Sequence, residues 1–161
     1  MRAGQAQEAF PFPRRPLDQP FSTRMSDLVR RLQLLERDAK SELKLTLPQA
    51  HALHALRAAG QLRMQELAMC LGLAQSTVTR LVAPLKRMGL LDRRPDPRDG
   101  RATCAFLTEQ GAEMADRIDR ADGDLYEDIL GRLPETRRAE VVAAIALLHE
   151  TVADFGEDAL D

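Results

Sequence analysis

The sequence of 161 residues predicts a mainly α-helical fold, of the α+β class, that contains a single β-hairpin. Two short helical segments joined by a glycine turn lie at its centre, between Met64 and Gly89. Two strand-like runs follow at once, from Leu90 to Thr108, around a turn rich in proline, aspartate and glycine. Longer segments with apolar residues at helical spacing lie before and after this central region in the sequence. Together these features indicate a winged helix-turn-helix lobe between amino-terminal and carboxy-terminal helices.

The amino-terminal part of the chain is predicted to change from an irregular arm to a helix. Residues 1 to 22 contain four prolines and little periodicity, which favours disorder. A first helix is expected from Ser26 to about Leu43, because apolar residues recur there at steps of three or four. A second helix is expected between a capping box at Thr46 and a stop near Gly60.

The two central helices present a polar face. The first is expected from Met64 to Gly72, because glycine tolerates the left-handed conformation of a helix end. The second begins near Gln75, and its apolar residues Val78, Leu81, Val82 and Leu85 would pack inward. The side chains left on its outer face are Gln75, Ser76, Thr77, Thr79 and Arg80. Amide, hydroxyl and guanidinium groups at the start of a helix suit the base edges and phosphates of a DNA major groove.

The hairpin turn that follows is basic. Between Asp96 and Arg101, Pro97 fixes its own φ and Gly100 permits a positive φ, which favours a tight turn. Arg98 and Arg101 are therefore expected near the tip of the hairpin. Arginines in such a position suit the DNA minor groove or the phosphates beside it.

Charge is distributed unevenly along the chain, although the formal net charge is only -2. Residues 76 to 101 carry seven basic and three acidic side chains, whereas residues 109 to 161 carry five basic and fifteen acidic ones. Attraction to phosphate depends on the local field, so the centre is suited to DNA and the acidic end is expected to point away from it. The sequence contains no run long and apolar enough for a bilayer and no signal-peptide core, so we expect a cytoplasmic protein without membrane contact.

The carboxy-terminal region predicts two long amphipathic helices. One is expected from Thr108, a natural N-cap, to Gly131, and the other begins at Leu133 and Pro134. Their apolar stripes and that of the first helix need a cover, which a second copy of the chain would supply. A monomer that folds these arms back on itself is the alternative. The candidate interface residues are Leu28, Leu32, Leu125, Ile129, Ile145 and Leu148.

The predicted organisation therefore has four parts. They are an arm over residues 1–22, a dimerisation helix over 23–45, the winged helix-turn-helix lobe over 46–108 and the dimerisation helices over 109–161. If the lobe pairs through these helices, two recognition helices face one duplex and the target is a pseudo-palindrome.

The stretch from Thr46 to Gly111 resembles the MarR family of bacterial transcriptional regulators. The matching segments include Gln-Glu-Leu-Ala, Leu-Gly-Leu-Ala-Gln-Ser-Thr-Val-Thr-Arg-Leu-Val, Leu-Lys-Arg-Met-Gly-Leu-Leu-Asp-Arg-Arg, Asp-Pro-Arg-Asp-Gly-Arg-Ala and Leu-Thr-Glu-Gln-Gly, in that order. The resemblance implies a homodimer built from the first helix and the last two. It also implies that Asp99 orients the hairpin or the arginine, while Arg101 enters the minor groove.

Two positions depart from the family pattern. Ala74 stands where the family often has a serine that caps the recognition helix, so this cap is expected to be weak or to come from elsewhere. Pro84 lies inside the same helix, where it removes one backbone hydrogen bond and is expected to kink or locally unwind the segment from Arg80 to Pro84.

The resemblance also implies a signal that controls DNA binding: a small phenolic or hydrophobic effector, cysteine oxidation or, occasionally, a metal. His51 and His54 lie three residues apart on one helix and are candidate ligand or sensor residues, but no further metal ligand is evident beside them. Cys104 is a candidate redox sensor, because a neighbouring basic surface would lower its pKa. Cys70 is expected to pack as a small apolar residue.

The leading interpretation is a repressor that binds operator DNA as a homodimer, without a cofactor, and is released by a small ligand. A redox- or metal-responsive regulator of the same fold is one alternative, and a winged-helix protein-interaction module that does not bind DNA is another. A thiol or metal enzyme is disfavoured. The sequence has three histidines and no Ser-His-Asp set, glycine-rich phosphate loop or His-Glu-x-x-His spacing.

Overall fold

The structure, a computed structural model, describes the backbone of residues 19–158 and the side chains of residues 19–153. The chain divides into two compact units, Met1–Leu35 and Glu36–Asp161. Six helices are present in the described part: α1 (Phe21–Ala39), α2 (Leu47–Ala59), α3 (Met64–Leu71), α4 (Gln75–Arg87), α5 (Glu109–Gly131) and α6 (Glu135–Asp158). Three strands accompany them, β1 (Gln61–Arg63), β2 (Leu91–Pro95) and β3 (Thr103–Leu107). This is the mainly α-helical winged helix-turn-helix fold that the sequence predicts.

Helix α1 differs from its prediction at both ends. It begins at Phe21 rather than Ser26, directly after Pro20, whose carbonyl accepts the first helical hydrogen bond from Arg24 N at 3.1 Å. It ends at Ala39, and a short 3-10 turn covers residues 41–43 before Lys44 takes a left-handed φ of 56°. The predicted disordered arm therefore overlaps α1, and its first eighteen residues lie outside the described part of the chain.

Helix α2 begins and ends, and helix α3 ends, where the predicted capping residues lie. Gln49 N donates to Thr46 Oγ1 at 3.4 Å and Thr46 N donates to Gln49 Oε1 at 2.9 Å, which completes the capping box. Gly72 closes α3 with a φ of 61°, in the left-handed region that glycine adopts without strain. The turn of the helix pair is thus set by local sequence.

The strands form one antiparallel sheet in the order β1–β3–β2. The predicted hairpin is confirmed, and its register pairs Arg93 with Ala105 and Arg94 with Cys104. Strand β1 was not predicted, because three residues between two helices carry no readable alternation. It pairs Leu62 with Ala105, so β3 lies in the middle of the sheet.

One core joins the lobe to the first half of α5. Its fully buried members come from α2, α3, α4, the sheet and α5, and include Leu53, Leu56, Leu67, Val78, Val82, Leu85, Leu91, Ala105 and Ile118. Burial of each aliphatic side chain contributes about 1.5–3 kcal/mol before conformational entropy is counted. The apolar face of α4 is buried in this core, so the polar face of the helix points outward.

The carboxy-terminal helices bury much less. Leu125 and Ile129 on α5 are partly buried, whereas Ile145 and Leu148 on α6 are 60% and 38% exposed. In the amino-terminal unit, Leu28 is 50% exposed and Leu32 is partly buried. Among the described helices, none is long and apolar enough to cross a membrane.

Candidate nucleic-acid interface

Helix α4 presents the polar face that the sequence predicts. Gln75, Ser76, Thr79 and Arg80 are exposed, and Thr77 is partly buried. The Thr79 hydroxyl donates to the Gln75 carbonyl at 3.0 Å, so its methyl group and its remaining lone pairs are what it can offer to a partner. The face therefore consists of amide, hydroxyl and guanidinium groups on a helix held rigidly by its buried side.

The start of α4 carries no side-chain cap, as predicted from Ala74. Thr77 N and Val78 N both donate to the Ala74 carbonyl, at 2.9 and 3.1 Å. The N–H groups of Gln75 and Ser76 precede these bonds, so helix geometry provides no carbonyl for them within α4. Free N–H groups at a helix start favour a phosphate oxygen.

Pro84 does not unwind α4, contrary to the expectation of local unwinding. The helix is unbroken from Gln75 to Arg87, and Met88 N donates to the Pro84 carbonyl at 2.9 Å. Proline still cannot donate to the carbonyl of Arg80. The loss of a single bond is tolerated because Val82 and Leu85 on either side are fully buried and hold the backbone in place.

Two aspartates shape the tip of the hairpin, which we call the wing (residues 91–107). Asp96 Oδ1 accepts from Arg98 N at 2.7 Å, and Asp99 Oδ1 accepts from Arg101 N at 3.0 Å. Both bonds reach the backbone of an arginine and leave its guanidinium outside, so Arg98 and Arg101 are exposed. Asp99 thus orders the turn around Arg101, in line with one of the two roles expected of it.

Asp96 also ties the tip of the wing to Arg63, the last residue of β1, which directly precedes α3. Its carboxylate is 7% exposed and pairs with the Arg63 guanidinium. The Arg98 N–H and this guanidinium hold the pKa of Asp96 below its usual range. The hydrogen bond to Asp96 and the negative charge of that carboxylate in turn raise the pKa of Arg63, so both partners stay charged at neutral pH.

A groove of about 360 Å³ lies between α4, the start of α3 and the wing. Its polar lining residues are Arg63, Gln65, Gln75, Thr79, Arg93, Asp99, Arg101 and Thr103. The groove therefore brings two residues of the predicted wing tip, Asp99 and Arg101, and two of the predicted recognition residues to one surface. It combines three guanidinium groups and one carboxylate with amide and hydroxyl groups, so its excess of positive charge suits a polyanion that also carries hydrogen-bonding edges.

Arg93 is a groove residue that the sequence reasoning did not select. Its Nη2 donates to the Thr79 carbonyl at 3.5 Å, and its Nε is buried without a hydrogen-bond partner in the described part of the chain. Strand alternation could have revealed it, because Arg93 shares a face with Leu91, which is buried. Arg94 points to the other face, where its guanidinium lies 4.8 Å from the centre of the Phe106 ring and bonds to Gln61.

The candidate histidines do not meet in a metal site. His51 Nε2 lies 3.8 Å from Glu36 Oε2, and His54 Nδ1 lies 2.9 Å from Asp119 Oδ1. Each histidine therefore has its own acidic partner. Among the described side chains, residues 19–153, no three of metal-binding type converge.

Cys70 does not pack inside as predicted, and Cys104 lacks the lowered pKa that its candidate role as a redox sensor requires. Cys70 is exposed, because the phase of α3 turns Leu67 and Ala68 inward and Cys70 outward. Cys104 is buried beside Asp96 rather than facing the basic surface. Burial, and then the negative charge of Asp96, raise the pKa of the Cys104 thiol, so it is less reactive than an ordinary cysteine.

Comparison with known proteins agrees with this geometry. A model of the MarR family matches residues 43–102, which include α2, α3, α4 and most of the wing. The HTH-type transcriptional repressor IacR of Pseudomonas putida is 30% identical over 105 residues, covering 65% of this chain. The chain spans 62% of the length of that relative.

Solved structures extend the match beyond the lobe. A cysteine-to-serine variant of MarR from E. coli has a TM-score of 0.73 at 24% identity, over 83% of this chain and 97% of that one. The same variant complexed with operator DNA has a TM-score of 0.66 at 26% identity, over 81% of this chain and 91% of that one. By its matched segments and its fold, the chain is similar to regulators of the MarR family.

Proposed function

We propose that this protein is a sequence-specific DNA-binding transcriptional regulator, a homodimeric repressor that binds a pseudo-palindromic operator. The observation that carries the proposal is the groove in which Gln75 and Thr79 of α4 face Arg101 of the wing. A DNA duplex offers both kinds of partner that this surface needs, namely base edges in the major groove and phosphates beside the minor groove. The relatives are named as transcriptional regulators and not as enzymes, in agreement with the expectation of a non-catalytic protein.

The residues that we propose to act in DNA binding come from two elements, α4 and the wing. Gln75, Ser76, Thr77, Thr79 and Arg80 would read base edges or contact phosphates from the first turns of α4. Arg98 and Arg101 would enter the minor groove or bind its flanking phosphates, with Asp99 holding the turn. We add Arg93, which lies between the two sets.

The proposed dimer is supported by apolar surface that the single chain leaves uncovered. Ile145, Leu148 and Val152, which share one side of α6, are between 38% and 66% exposed. Pairing of such faces would also set two recognition helices about 34–36 Å apart, one turn of B-DNA. A small phenolic or hydrophobic effector is the proposed releasing signal, supported by the similarity to the MarR family. The burial of Cys104 argues against that thiol as the sensor.

The test is a fluorescence anisotropy titration with the DNA next to the protein's own reading frame, over a series of salt concentrations. Counterion release predicts weaker binding as salt rises, with a negative log-log slope. A protein-interaction winged helix would show no specific complex with this DNA at any salt concentration, and that result would refute the proposal.

Base reading is tested by Gln75→Ala and Thr77→Ala. Each is expected to relax discrimination between operator variants, because a lost base contact is worth about 1–3 kcal/mol at its own position. Equal losses on all sequences would contradict a reading role.

The effector is tested by a thermal-shift screen of the wild-type protein with phenolic compounds. A ligand that binds the native state raises the melting temperature of the protein.

A further inference from the structure

We propose that Thr108 is a positioning residue for DNA binding: it fixes the turn between α4 and the wing to the start of α5. Thr108 lies outside the groove and is not expected to touch DNA. The proposal rests on the proposed DNA-binding function, and it assigns a role to a residue that was expected only to cap a helix.

Two consecutive carbonyls of the turn accept hydrogen bonds from Thr108. Its hydroxyl donates to the Gly89 carbonyl at 2.6 Å, and its N–H donates to the Leu90 carbonyl at 3.2 Å. A peptide held at two neighbouring carbonyls by one residue cannot rotate without breaking one of the bonds. The turn is therefore fixed in orientation as well as in distance.

The same hydroxyl also caps α5. Thr108 Oγ1 accepts from Gly111 N at 3.0 Å, so one oxygen joins the turn to the first turn of the helix. Gly111 packs directly on the turn, because a Cβ at this position would lie 1.7 Å from the Leu90 carbonyl oxygen. No side chain separates the two backbones, so little movement of α5 is absorbed between them.

This turn connects α4 to β2, and both elements contribute residues to the groove. Helix α4 ends at Arg87, Gly89 follows with a φ of 71°, and Leu90 N donates back to the Leu85 carbonyl at 3.0 Å. Strand β2 then begins at Leu91. A rotation at Gly89 or Leu90 would change the angle between α4 and the wing, and so the fit of both to one duplex.

Substitutions at Thr108 can separate its role as the N-cap of α5 from the hydrogen bond that its hydroxyl donates to the Gly89 carbonyl. Serine keeps both, because its hydroxyl donates and accepts. Aspartate keeps the cap, since it is a preferred N-cap residue, but its carboxylate has no proton to donate to Gly89 at neutral pH. Thr46→Asp is the matched control, because it adds the same charge at the N-cap of α2 and leaves Thr108 unchanged.

We expect Thr108→Asp to bind DNA about tenfold more weakly than the wild type, with an unchanged salt slope because no phosphate contact is lost. Thr108→Ser and Thr46→Asp should bind as the wild type does. Equal affinity of Thr108→Asp and Thr46→Asp would overturn the proposal, and so would a loss of affinity explained by a smaller salt slope.

A second pair of variants covers a failure of Thr108→Asp to fold. Thr108→Ala and Thr46→Ala each remove a threonine hydroxyl that caps a helix, but Thr46 caps α2 and does not touch the turn. At equal loss of stability in urea, only Thr108→Ala should weaken DNA binding. Equal DNA affinity of the two alanine variants would overturn the proposal.

A measurement without DNA keeps the inference separate from the proposed function. Spin labels on Ser76→Cys and Arg120→Cys, with exposed Cys70 replaced by serine and the sample diluted with unlabelled protein, report the distance from α4 to α5. Thr108→Asp should broaden that distance distribution, and Thr108→Ser should not. An unchanged distribution would overturn the inference, whereas wild-type protein that binds no DNA would refute only the function.

Discussion

Single residues of the wing act either on the shape of the turn or on its charge. The Asp96 and Asp99 carboxylates bind the backbone N–H groups of Arg98 and Arg101, and the two guanidinium groups remain outside. Loss of an aspartate should therefore change how both arginines are presented. Loss of an arginine should remove one charge and leave the turn as it is.

Arg101→Ala is accordingly expected to lower DNA affinity by a similar factor on all sequences. The log-log salt slope should become smaller by about one, because one phosphate contact is lost. Arg117→Ala, which removes an exposed cation from α5, is the matched control and should leave the slope unchanged. A full wild-type slope for Arg101→Ala would remove Arg101 from the DNA interface.

The two cysteines are expected to react very differently with a thiol reagent. Cys70 is exposed, whereas Cys104 is buried and has a raised pKa. Native protein should therefore react rapidly at one thiol per chain, and Cys70→Ser should abolish the fast phase. A fast phase that survives in Cys70→Ser would show that Cys104 is reached without unfolding.

At the scale of elements, the wing depends on a carboxylate with a lowered pKa. The Arg98 N–H and the Arg63 guanidinium favour the charged form of Asp96, so folding is stabilised above the ordinary pKa of 3.8. As the pH falls below that value and through the lowered pKa of the folded state, this stabilisation is lost.

Asp96→Asn is therefore expected to be less stable than the wild type at pH 7 and to approach it in stability near pH 3. Urea unfolding at a series of pH values measures the difference between the two proteins. Because only the difference is compared, the titration of other carboxylates largely cancels. A gap in unfolding free energy that stays constant from pH 7 to pH 3 would contradict the assigned role of Asp96.

Elements whose ends are marked by a capping residue or a glycine could be predicted from the sequence, and other elements could not. Thr46, Gly72 and Thr108 mark helix ends by their own hydrogen bonds or dihedral angles, so α2, α3 and α5 lie where expected. Strand β1 exists only because β3 pairs with it, which no local pattern reveals. The polar face of α4 followed from periodicity, but Arg93 became part of the groove through tertiary packing of the sheet against α4.

At the scale of the whole molecule, the proposed dimer makes the clearest prediction. Ile145→Asp places a charge among the exposed apolar side chains of α6, and an unpaired charge buried in an interface costs several kcal/mol. Sedimentation should show that the apparent mass falls by half, and DNA affinity should fall with it. Ala143→Asp, two residues away on another side of the helix, is the control. A dimeric Ile145→Asp would exclude this face as the interface.

The uncovered apolar surface of α6 also bears on how the protein responds to its own abundance. A helix whose apolar side chains are exposed to solvent in the single chain gains most of its stability only when those side chains are buried against another surface. Under the proposed pairing, the concentration of active dimer rises with the square of the chain concentration at low abundance. Modest changes in synthesis or turnover would then produce steeper changes in the expression of the target genes.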